Sequence, residues 1–183
     1  MYYGRTVMRF STGTKLNNSM QRLWCTSYKG FKQLVEENHW DKYVPDSTAI
    51  ISINYTLINE DECHLCSGDN VLNLDFDDID PVSIGLDTNT ESCKIGTATL
   101  HFFTDQMAAH AINFIEKHKS RNFYIHCSAG FSRSQAFVRY IQTVYDDIDL
   151  VTNPDNPCMY PNGHVVTTLM RNWRKKYYAN FFE

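Results

Sequence analysis

The sequence predicts an α/β fold, with a central, mostly parallel sheet of four or five strands flanked by helices on both faces. Three observations carry that expectation. Thr48-Ala49-Ile50-Ile51-Ser52-Ile53 is a short, continuous, β-branched run, the pattern of a strand buried on both faces. Two later stretches, around 104–118 and 136–144, repeat apolar residues at the i, i+3, i+4, i+7 spacing of amphipathic helices. Strand-like and helix-like segments alternate along the chain, as parallel α/β sheets require. At 183 residues the chain fits one domain, 1–183, long enough to bury a substantial core.

In chain order, Arg5-Thr6-Val7-Met8-Arg9-Phe10 has strand character, and Ser11 to Ser19 reads as a loop. A helix is expected from Ser27, with Phe31, Leu34 and Val35 on one face, ending between Asn38 and Trp40 ahead of Pro45. The strand at 48–53 follows, then a polar connection over 54–70. Val71 to Phe76 alternates, placing Leu72, Leu74 and Phe76 on one side of a strand. Asp75, Asp77, Asp78 and Asp80 cluster at its carboxyl end, the edge where open α/β sheets bind ligands. Pro81 is expected to stop regular structure. Residues 82–100 read as an insertion with a hairpin within Cys93 to Leu100.

Thr104 is an N-cap with Asp105 in the first turn, and Ala108, Ala111, Ile112 and Ile115 mark the buried stripe of that helix. Phe123-Tyr124-Ile125 is a strand, and Phe137, Tyr140, Ile141 and Val144 are the stripe of the helix after it. A loop holding Pro154, Pro157 and Pro161 precedes a last helix capped by Asn162, with Val166, Leu169, Met170, Trp173 and Tyr177 on one face.

A hydrophobic fraction of 43% with 14% aromatics excludes a disordered chain. No apolar run approaches the roughly 20 residues that span a bilayer, so no membrane partner is expected. Met1-Tyr2-Tyr3-Gly4-Arg5 lacks the layout of a secretory signal, which makes a cytoplasmic, reducing location and six free cysteines the expectation. The net charge of −4 argues against nucleic acid as a partner, and Arg171, Arg174, Lys175 and Lys176 read as cations near a helix C-terminus. Cys63-x2-Cys66 is a single pair without the second pair that a zinc site needs. His64, His101, His110, His118 and His164 receive no role, and Trp24, Trp40 and Trp173 are assigned to packing.

The chemistry concentrates in His126-Cys127-Ser128-Ala129-Gly130-Phe131-Ser132-Arg133-Ser134, placed between a strand and a helix. Amides at a helix start have no intrahelical partner, and the helix dipole adds positive charge, so anions are stabilised there. Cysteines in such places, beside a cation, ionise at about 3.5–7.5 and become good nucleophiles. Five residues between Cys127 and Arg133 let the backbone wrap a tetrahedral anion, and the planar guanidinium can hold two of its oxygens. Gly130 permits a positive φ or a close approach.

His126-Cys127-x5-Arg133-Ser134 resembles the signature loop of the cysteine-dependent protein tyrosine phosphatases, and the wording HCSAGFSRS is most similar to their small dual-specificity branch. The likeness covers 48–178, and covers 1–45 and 82–100 poorly. It implies the phosphatase fold and a metal-independent reaction without cofactor. Cys127 would be the nucleophile that forms a phosphocysteine, and Arg133 and the backbone of Ser128, Ala129, Gly130, Phe131 and Ser132 would bind the phosphoryl group. Ser134 would assist departure of the Cys127 sulfur, and His126 would support the loop. The general acid would be an aspartate after the preceding strand; alignment selects Asp78, with Asp77 and Asp80 as alternatives and Asp87 and Asp105 behind them. The implied substrate is a phosphorylated protein, through phosphotyrosine, with phosphoserine and phosphothreonine left open. An RNA 5′-triphosphatase and a phosphopeptide-binding pseudophosphatase are the alternatives. Phosphoinositides rank lower, because the loop interior holds no lysine.

Overall fold

The computed structural model describes residues 22–56, 63–145, 148–152 and 160–178. The strand expected at 5–10, the loop at 11–19, and Pro154 and Pro157 lie outside these residues. The element order is β1 (Arg22–Ser27), α1 (Tyr28–Asn38), β2 (Thr48–Asn54), β3 (Val71–Asp75), a 3-10 turn (Pro81–Ile84), β4 (Ser92–Ile95), β5 (Ala98–His101), α2 (Asp105–Lys117), β6 (Asn122–Cys127), α3 (Arg133–Val144), β7 (Asp149–Thr152) and α4 (Gly163–Tyr178). Five strands form one sheet in the order β3-β2-β6-β1-β7, and each neighbouring pair is parallel. The chain is α/β, with helices on both faces of a parallel sheet.

β2 is buried along its whole length, as its unbroken apolar run requires. One face of the sheet is covered by α1, where Phe31 and Val35 join Trp40, Val44, Ile50 and Cys66 in a small core. The other face carries α2, α3 and α4 over the larger core, which includes Leu23, Ile51, Phe76, Phe103, Ile115, Phe137, Ile141 and Leu169. Trp24 stacks on Tyr124, its partner in the β1–β6 register, at 4.5 Å between ring centroids, and Trp40 meets the same tyrosine edge-on at 4.8 Å. The two caps read from the sequence, Thr104 and Asn162, form as hydrogen bonds, and so does one at Ser27, where the first helix was expected to begin. Ser27 Oγ accepts from Gly30 N at 3.2 Å, Thr104 Oγ1 from Met107 N at 3.1 Å, and Asn162 Oδ1 from Val165 N at 3.1 Å.

Four features differ from the sequence reading. β1 and β7, the strands that complete the sheet on one side, were not expected. Pro81 does not stop regular structure; it opens the 3-10 turn, where its fixed φ suits the first position and Asp80 Oδ1 caps Val82 N at 3.0 Å. The hairpin is wider than Cys93 to Leu100, pairing Ser92 with His101. The buried side of α4 is His164, Val165, Thr168 and Leu169, with Val166, Met170 and Trp173 only flanking the core and Tyr177 37% exposed. His164 goes inward because its Nε2 finds the Phe103 carbonyl at 2.8 Å.

Three cations of the last helix face α2: Arg171 and Lys175 bind Asp105, and Lys176 binds Glu116. No helix among the described residues is long and apolar enough to cross a membrane. Because all sheet pairings are parallel, Ser27, Asn54, Asp75 and Cys127 share one edge of the sheet. Ser27 is in register with Cys127, and Asn54 with Asp75.

Candidate functional site

At that edge β6 ends on Cys127 and α3 begins on Arg133, so the signature residues form the strand-to-helix turn. The turn is clamped from both sides by backbone hydrogen bonds. Tyr28 N, at the start of α1, donates to the Ser128 carbonyl at 3.0 Å. From the α4 side, Tyr160 N donates to Phe131 O at 3.0 Å and Asn162 N to Ser132 O at 3.3 Å. Gly130 has a φ of +80°, and a Cβ there would lie 2.6 Å from Ser27 N and 2.7 Å from Thr26 C. Both properties demand glycine.

Cys127 is 2% exposed, and its sulfur receives Gly130 N at 3.2 Å and lies 3.2 Å from Ser134 Oγ. Both groups can donate to a thiolate. Arg133 is 1% exposed. Its Nη1 donates to two backbone carbonyls, Asn54 O at 2.9 Å and Phe76 O at 2.8 Å, while Nη2 donates to Ser128 Oγ at 3.0 Å. A guanidinium has five N–H groups. These bonds account for three, and Nε, although buried, has no partner among the described residues. The guanidinium is thus fixed through Nη1 and Nη2 and keeps its Nε–H, a donor that an oxyanion can use. The ring of Tyr55 lies over it at 3.8 Å.

Of the aspartates, Asp78 is the one brought against the turn. Its Oδ1 accepts from Ser132 Oγ at 2.7 Å and from Asn162 Nδ2 at 2.9 Å. Asp77 is turned away, 2% exposed, with its carboxylate holding Thr56 N, Thr56 Oγ1 and His101 N. Asp80 caps the 3-10 turn, Asp87 accepts from Asn89 N, and Asp105 sits in the α2–α4 ion cluster. Because the Ser132 hydroxyl goes to Asp78, no side chain caps α3, and its first amides remain for an anion.

Behind the turn lie Gln135 and Cys25, to which the sequence reading gave no role, and His126, expected to support the loop. Gln135 Nε2 donates to both Gly130 O (3.2 Å) and Cys25 Sγ (3.1 Å). Burial pushes the Cys25 thiol up to about 12 against the Ser134 hydrogen bond, with the Cys127 charge adding to the rise. His126, fully buried, stacks on Phe31 at 4.1 Å and places Nε2 2.8 Å from Ser52 Oγ. Asn162 was legible only as a cap; its second hydrogen bond, to Asp78, had no sequence signal. Cys63 is exposed, and Cys66 lies in the α1-side core, where burial raises its thiol to about 11.

Compared with known proteins, the chain matches no family model and no curated protein. The site's geometry therefore carries the functional reading.

Proposed function

We propose that this chain is a cysteine-dependent protein phosphatase that hydrolyses phosphotyrosine through a phosphocysteine intermediate. The observation that carries this reading is the placing of Cys127 and a buried Arg133 at the two ends of one turn, with the Arg133 Nε–H left without a partner among the described residues. Cys127 Sγ attacks phosphorus as the bond to the leaving oxygen breaks, and Asp78 gives that oxygen its proton. Arg133 and the uncapped start of α3 stabilise the phosphoryl oxygens as charge spreads over them. Water then attacks the phosphocysteine with Asp78 as base, and Ser134 Oγ, 3.2 Å from the sulfur, supports it as it leaves.

A protein substrate is favoured by the surroundings of the turn. Tyr55, Phe131 and Tyr160 are 40%, 42% and 71% exposed around it, an aromatic rim suited to a tyrosyl ring and its peptide. RNA requires a basic track; three of the four basic residues noted on α4 are paired with acids of α2.

The test is hydrolysis of an aryl phosphate in excess chelator. Cys127→Ser should abolish turnover, and Asp78→Asn should lower it by about 10². Turnover surviving in Cys127→Ser would rule out the thiolate mechanism. Phosphotyrosine peptide, phosphoserine peptide and triphosphorylated RNA, assayed in parallel, separate the substrate classes.

A further inference from the structure

Four side chains from four segments form a continuous hydrogen-bonded line that ends beside the proposed nucleophile. Asp75 Oδ1, at the end of β3, is 3.0 Å from His64 Nε2; His64 Nδ1 is 2.8 Å from Ser52 Oγ on β2; Ser52 Oγ is 2.8 Å from His126 Nε2 on β6. His126 adjoins Cys127. We propose that His64 and Ser52 are positioning residues, and that the charge on His64 decides which ring nitrogen of His126 carries its proton. The consequence for Cys127 rests on the phosphatase reading; the relay itself does not.

The argument is a count of hydrogens. A carboxylate only accepts, so His64 Nε2 carries a hydrogen toward Asp75. When His64 is neutral, its Nδ1 is a bare lone pair and must receive the single Ser52 hydrogen. Ser52 Oγ then accepts, and His126 holds its proton on Nε2. When His64 is charged, its Nδ1 donates to Ser52, the hydroxyl turns to donate to His126 Nε2, and His126 carries its proton on Nδ1. The change takes up one proton from water. Before the change the hydrogens sit on His64 Nε2, Ser52 Oγ and His126 Nε2; after it they sit on His64 Nε2 and Nδ1, Ser52 Oγ and His126 Nδ1, one more in all.

The surroundings support two such states. His126 is fully buried, and burial, reinforced by the charges of His64 and Arg133, holds its imidazole down to about 3. It therefore stays neutral with one N–H to place. Its Nδ1 meets no side-chain partner among the described residues, and a hydrogen bond with the Cys127 backbone favours a proton on the ring. Ser52 is 1% exposed, whereas the His64 side chain is 21% exposed and can exchange protons with water. The groups around the line are Asp75 on β3, the Tyr28 hydroxyl on α1, which accepts from Cys63 N, Arg133 on α3, and Cys127. Asp75 faces His64 directly. Phe31 and Tyr28 contact the His126 ring at 4.1 and 5.9 Å between centroids and restrain it from turning over. Proton position, rather than ring orientation, is left as the variable.

The experiment is imidazole ¹⁵N NMR of the full chain from pH 5 to 8, the range in which histidines generally titrate. Pyrrole-type and pyridine-type nitrogens are distinct there, so tautomers are read directly and without an activity assay. In the wild type, the His126 proton should move from Nε2 to Nδ1 as His64 gains charge, with one shared midpoint. In Ser52→Ala that movement should be lost while His64 still titrates. His64→Ala, at a partly exposed position, should also abolish it and guards against misfolding of the serine variant. Iodoacetamide labelling of Cys127 should show an inflection at the His64 midpoint in the wild type and lose it in both variants. A His126 tautomer that stays the same through the His64 titration, or still changes in Ser52→Ala, overturns the proposal. Loss of phosphatase activity alone would bear on the phosphatase reading and leave this one standing.

Discussion

Replacing Gly130 with alanine should damage the fold more than the same change at Gly85, and the two positions form a controlled pair. Both glycines have a φ of +80°. The left-handed conformation costs an alanine about 1–2 kcal/mol at either site. The restriction that alanine places on the unfolded chain is also common to both. They differ in space. At Gly85 a Cβ would meet nothing within 4 Å, whereas at Gly130 it would meet Ser27 N at 2.6 Å, Thr26 C at 2.7 Å and Thr26 O at 2.8 Å. Those atoms are backbone at the β1–α1 junction, which cannot turn aside as a flexible side chain would. Overpacking of this kind costs about 1–3 kcal/mol. That excess corresponds to a melting temperature about 2–12 °C below that of Gly85→Ala, at about 2–4 °C per kcal/mol for a chain of this size. Thermal unfolding followed by circular dichroism measures it. Relief by moving the turn would break the bond from Tyr28 N to Ser128 O, so aryl phosphate turnover should fall as well. Equal melting temperatures for the two variants would refute the close approach of turn and strand.

Asn162→Ser should separate the two roles of that residue. Serine also caps helices, so the melting temperature should hold; loss of the Nδ2 donor to Asp78 removes a hydrogen bond of about 0.5–1.5 kcal/mol, and turnover should fall about 2- to 12-fold. For Asp105, burial alone would raise the carboxyl, but hydrogen bonds from Arg171, Asn172 and Lys175 outweigh it and hold it at about 2, below its ordinary 3.8. Its folded value is the lower one, so its stabilisation is present above about pH 4 and disappears as pH falls through about 2. Urea unfolding should accordingly find Asp105→Asn less stable than wild type at pH 7, with the gap closing below pH 4.

The parts of the fold that were legible were those whose causes are local. β2 announced itself by six apolar or small residues in a row, α1 by a periodic stripe, and α2 by a cap followed by one. β1 was not legible, since Leu23-Trp24-Cys25-Thr26 is short and has no alternation, and its strand character comes from pairing with β6 and β7 on either side. β7, only four residues long at the sheet edge, gave still less signal. The stripe assigned to α4 was displaced because this helix packs against both α2 and α3, so that two adjacent stripes contact the core and polar Thr168 and His164 are drawn in. In the site, Cys127 and Arg133 were legible because the turn is contiguous. Asp78 was selected by alignment with Asp77 and Asp80 left as alternatives, because its separation from Asp77 depends on contacts with Thr56, His101, Ser132 and Asn162. The line through His64 was not legible, because Ser52 and His126 are 74 residues apart and nothing local marks them as partners.

The shared sheet edge also constrains the history of each molecule. Cys127 sits where β1, β2, β3 and β6 end together, and its neighbour Asp78 is held by Asn162 across 84 residues of chain. Parallel pairings join distant segments and form slowly, after long loops have closed. During synthesis, Cys127 and Asp78 are therefore both added to the chain before Asn162, the residue that holds Asp78. Until α4 is in place Asp78 lacks its Asn162 hydrogen bond, so the turnover proposed above should begin only with the last helix and would serve as a timer for complete folding.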